Sequence, residues 1–80
     1  VVYPMMCDFE AAYPWIRIHE RVVAHCRAKG IDVEDLLPAF GGRNGRALWV
    51  HPSDQHPNPV AHAIAARAIL AALERRGWRP

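Results

Sequence analysis

A chain of 80 residues, 51% of them apolar, is long enough for one small globular domain and too short for two. Its net charge of +2 comes mostly from scattered arginines, which argues against a nucleic-acid partner. The longest apolar run falls far short of the roughly 20 residues that span a bilayer, so no membrane span is expected.

Cys7 and Cys26 are too few for a disulfide scaffold and lack Cys-x-x-Cys spacing. Cys26 is expected to be a buried free thiol on the apolar side of a helix. Val1 reads as an internal start, so the lack of an N-terminal signal pattern leaves the compartment open.

In chain order, Val1-Val2-Tyr3 reads as a short strand buried on both faces, which Pro4 restricts in its pairing. Met5 and Met6 are expected to fill the core. From about Ala11 to Lys29 the apolar period becomes helical: Trp15, Ile18 (or His19), Val22 and Cys26 share one face, and Arg17, Glu20, Arg21 and Arg27 the other. Gly30 sits where a left-handed C-terminal cap is needed. His19 and His25 lie on roughly opposite faces, cannot share a metal ion, and read as partly exposed surface residues.

Ile31 to Leu36 reads as a second strand, with Val33 and Leu36 in the core. Strand, helix and strand in this order predict a βαβ unit with parallel strands. Asp32, Glu34 and Asp35 are weighed as a metal site against a structural role, and the alternation of side chains along a strand favours the latter. Leu37 to Phe40 is expected to form one helical turn. The glycines of Gly41 to Arg46 lack a following Gly-Lys-Ser/Thr and read as a surface turn rather than a phosphate loop. Ala47 to Val50 is a short extended piece leading to His51.

The stretch Pro52 to His62 gathers a carboxylate, two imidazoles and a helix start. Asn58 is placed to cap a helix, and Pro59 suits its first position. That helix is expected from about Pro59 to Arg76 and to be covered on most of its circumference. Arg75, Arg76 and Arg79 read as its solvated, dipole-compatible end.

Asp54-Gln55-His56-Pro57-Asn58, followed by Ala61-His62 and the apolar run Ile64 to Leu73, resembles the last motif block of the SGNH (GDSL-type) hydrolases, in which an Asp and a His complete a Ser-His-Asp triad. Val1 to Pro4 resembles a central strand of that fold, and Gly30 to Pro38 its last strand and exit. The resemblance implies an α/β domain, strand-helix-strand-helix with parallel strands, equivalent to the C-terminal part of a flavodoxin-like three-layer fold. It implies a small-molecule carboxylic ester as substrate, His56 as general base, Asp54 as its orienting acid, and no cofactor or metal.

The family's acid lies three residues before its His, where this chain has Ser53; Asp54 lies two before. Ser53 is the only serine, and no strand-turn-helix elbow surrounds it. The nucleophile and the oxyanion donors are therefore expected upstream of Val1. Two other classes stay open: a zinc site from His51, Asp54, His56 and His62, and a non-catalytic module that docks or self-associates through an exposed sheet edge.

Overall fold

Two helices and one β-hairpin are the regular elements of the computed structural model, which describes residues 1–10 and 12–78. Helix α1 spans Ile16–Ala28, strand β1 Trp49–His51, strand β2 Asp54–Pro57 and helix α2 Pro59–Arg75. Short 3-10 turns cover Leu37–Phe40, as the sequence anticipates, and Gly45–Leu48. The expected helix start at Ala11 and the expected solvated role of Arg79 lie outside the described residues.

The parallel strand-helix-strand-helix arrangement is overturned. The two-stranded sheet pairs β1 with β2 antiparallel, through Trp49 with Pro57 and His51 with Asp54. Neither Val1 to Tyr3 nor Ile31 to Leu36 forms a strand; they meet at a single parallel bridge, where the Val2 amide donates to Glu34 and the Leu36 amide to Val2. The physical reason lies on both sides of that bridge. Pro4 has no amide to continue a ladder, and Leu36 already enters the turn that Pro38 favours. Pairing is thus cut to one residue.

Helix α1 starts at Ile16, with Ala12 to Trp15 outside it, and its buried face is rotated from the expected one. Trp15, Ile18 and Val22 are exposed, whereas His19 is 4% exposed with Val23 and Cys26 half-buried beside it. His19 is therefore no surface residue, and Cys26 is a half-buried free thiol. His25 is exposed. Gly30, at φ 71°, closes the helix: its amide donates to Arg27 and that of Ile31 to Cys26, the paired bonds of a Schellman cap.

The core is built around Phe40 and Leu36, with Phe9 and Tyr13 stacked at 5.7 Å and Phe9 and Phe40 at 5.4 Å. Helix α2 contributes Ala61, Ile64 and Ala65. It is less covered than expected: Val60, Leu70 and Leu73 are exposed. Of the two methionines Met6 is buried, but Met5 is 56% exposed, and Val33 is only half-buried. At the far end of α2, Arg75 pairs with Glu34 at 2.8 Å and Arg76 with Glu34 at 3.4 Å, so these arginines hold the chain before Asp35 rather than pointing freely to water. No helix among the described residues is long and apolar enough to cross a membrane.

Candidate active site

The hairpin that carries Asp54 and His56 is fixed to the body of the protein at its base. The Asn58 side chain accepts the Ala61 amide at 3.0 Å, capping α2, and its amide group donates to the carbonyls of Ala47 and Trp49 at 2.9 and 3.2 Å. Its own backbone N–H donates to Leu48. One residue therefore starts the helix and ties it to β1, a fuller use of Asn58 than the cap alone.

On the other side of β1, the Trp49 indole N–H donates to the Met6 carbonyl at 2.7 Å. Gly45 packs so closely on Cys7 that an added Cβ would lie 2.8 Å from the Cys7 Cα. These contacts set the hairpin against the segment Tyr3 to Met6. A groove of about 490 Å³ lies between them, and Asp54 and His56 are the only ionisable groups on its hairpin wall.

Within the groove, His56 lies on β2, directly before Pro57. The Asp54 Oδ1 accepts the His56 backbone N–H at 3.0 Å and the ring Nδ1–H at 2.5 Å. An ionised carboxylate only accepts, so Nδ1 carries the proton and Nε2 presents its lone pair. Donation from the His56 backbone N–H, then from its ring, holds the Asp54 carboxyl below the usual carboxylate range. The His56 side chain is 86% exposed, so its Nε2 is open to an incoming group.

The other candidates are elsewhere. Ser53 places its hydroxyl 2.8 Å from Nδ1 of His51, across the hairpin turn, and makes no bond to His56. His62 is exposed on the first turn of α2, its ring 6.4 Å from that of Tyr3. Among the described residues no three His, Cys, Asp or Glu side chains come together to hold a metal ion. Sequence reasoning missed a second carboxylate-imidazole pair, Asp35 with the buried His19 at 2.8 Å. An imidazole at an apolar helical position was its one signal.

No family model, curated protein or solved structure matches the chain.

Proposed function

We propose that Asp54 and His56 are the acid and base of a serine hydrolase acting on carboxylic esters, with the nucleophile and oxyanion donors supplied from outside these 80 residues. The observation that carries this reading is the bond from His56 Nδ1–H to Asp54, which fixes the tautomer a base needs on a residue that lines an apolar groove. In such a site Nε2 takes the serine proton as the hydroxyl attacks the ester carbonyl, Asp54 stabilises the resulting imidazolium, and the proton passes on to the leaving alcohol. Ser53 does not supply the hydroxyl to His56, because its bond is to Nδ1 of His51 and it makes none to His56. The test is ester turnover and fluorophosphonate labelling of the natural polypeptide that carries these residues. Turnover that survives His56→Ala unchanged defeats the reading.

A second reading is a non-catalytic module that self-associates along Val1 to Tyr3. It is favoured by the single bridge at Val2, which leaves the opposite backbone edge of this apolar segment without partners among the described residues, and by the exposure of Val1. Sedimentation of the 80-residue chain tests it. A dimer that grows with concentration supports it, and a monomer at all concentrations overturns it.

A further inference from the structure

Away from the His56 groove, the described residues contain a partly buried chain of hydrogen bonds that links helix α1 to three segments flanking it in space. Asp35 Oδ1 accepts the His19 Nδ1–H at 2.8 Å and the Leu37 amide at 3.0 Å. His19 Nε2 then accepts the Tyr13 O–H at 3.1 Å, and the Tyr13 oxygen accepts the Met5 amide at 2.8 Å. With the His19 imidazole neutral, the direction of each bond follows from the first, since the carboxylate cannot donate. Every polar side-chain atom buried here has a partner, so the chain offers nothing to a ligand and acts as a stiff connection.

The connection ends at a residue of the candidate active site. Met5 has its amide held by Tyr13 and its carbonyl held by the Cys7 amide at 2.8 Å. Its exposed side chain lines the groove across from His56. A Met side chain is unbranched and adapts to apolar partners. With both backbone groups fixed, only that side chain is left to adapt.

We propose that Tyr13, oriented by His19 and Asp35, is a positioning residue: by holding the Met5 amide it sets the apolar wall facing His56, and so the length of uncharged acyl chain that the groove prefers. This rests on reading His56 as the base for an ester substrate, but the wall is measured by binding alone. The probes are N-methylbutanamide and N-methyloctanamide, neutral amides that mimic an ester and its acyl chain, with binding to the 80-residue chain followed by NMR at the backbone amides of Met6 and Gln55, which every variant retains.

Wild type is expected to bind the longer amide more tightly. Tyr13→Phe keeps the ring stacked on Phe9 and removes the hydroxyl, and is expected to reduce that preference several-fold while the α2 signals stay in place. Met5→Ala is expected to do the same without touching any bond of the polar chain. An unchanged preference in Tyr13→Phe, or no binding to wild type, overturns the proposal. Should Tyr13→Phe fail to fold, two measurements decide: a preference retained in Met5→Ala, or a Met5 amide in wild type that exchanges with solvent as fast as an open loop, overturns it. Ester turnover of the natural polypeptide after His56→Ala reads the base, and amide preference in the 80-residue chain reads the wall. Turnover surviving that substitution defeats the base and spares the wall; unchanged preference in Tyr13→Phe defeats the wall and spares the base.

Discussion

A single oxygen of Asp54 receives both N–H groups of His56, the backbone one at 3.0 Å and the ring one at 2.5 Å. The two residues are neighbours but one on the same strand, where alternate side chains share a face. That spacing is why the carboxylate reaches back and forward at once. A local turn and an oriented imidazole come from the same atom.

If this pair is catalytic, His56→Ala in the natural polypeptide lowers turnover by several orders of magnitude without unfolding it, as loss of a triad base does. Asp54→Ala costs less. The 80-residue chain alone, and its Ser53→Ala and His56→Ala variants, are expected to hydrolyse a short-chain nitrophenyl ester at equal, weak rates, because nothing in the Ser53–His51 pair preorganises donors for an oxyanion. Serine-dependent turnover in wild type would contradict this.

Acid titration reads the same pair. Asp54 is held below its unfolded value of about 3.9 by the His56 N–H groups. Its contribution to hairpin stability is therefore fully present above that value and is lost as pH falls through the lowered folded midpoint. The Asp54 carboxyl carbon, followed by NMR, should titrate below about 3.9, and Asp54→Asn should remove the corresponding acid-side loss. A midpoint at or above the unfolded value would show that the bonds to His56 do not form in solution.

Asn58→Ala is expected to destabilise the protein by about 1–2 kcal/mol for the lost cap, with more from the carbonyls of Ala47 and Trp49 left without their donor. Asn58→Asp separates the two parts, since it keeps the cap oxygen and removes the donor. Urea denaturation measures both.

Gly45→Ala inserts a methyl against the Cys7 backbone, which is held by its own amide bond to Met5 and cannot retreat as a side-chain tip would. A loss of about 1–3 kcal/mol is expected, on the scale of other overpacking substitutions. The Met6 carbonyl should also shift away from the Trp49 indole, which indole N–H chemical shifts would detect. An unchanged melting temperature would place Gly45 farther from Cys7 than described.

Helix α2 was legible because its start has local chemistry: Asn58 to cap, then Pro59 with no amide to waste. Gly30 was legible for the same reason, a backbone angle that other residues resist. The hairpin was not. Its turn is Pro52-Ser53, which lacks the Asn-Gly or Asp-Gly signal, and β2 reads Asp-Gln-His-Pro, with no apolar alternation to mark a strand. The parallel sheet was inferred from apolar character at Val1 to Tyr3 and Ile31 to Leu36, but pairing is decided by which amides are free, and one bridge is all that forms between them. The candidate pair Asp54 and His56 comes from the resemblance of Asp54-Gln55-His56-Pro57-Asn58 to a hydrolase motif block, despite a spacing one residue short; the groove facing it depends on Trp49 reaching Met6, 43 residues away, which no local pattern carries.

Helix α1 buries only His19 among its described residues, so what holds it down is an imidazole bonded at both nitrogens rather than an oily face. Little apolar surface is uncovered when such a helix lifts away, and release should be nearly silent in heat capacity and weakly sensitive to urea. Amide exchange would then divide the protein into two cooperative units, with α1 opening far below the global barrier while the Phe40 core and α2 stay closed. Proteases should find the chain within α1 first, and the nicked protein would keep the hairpin while His19 no longer orients Tyr13.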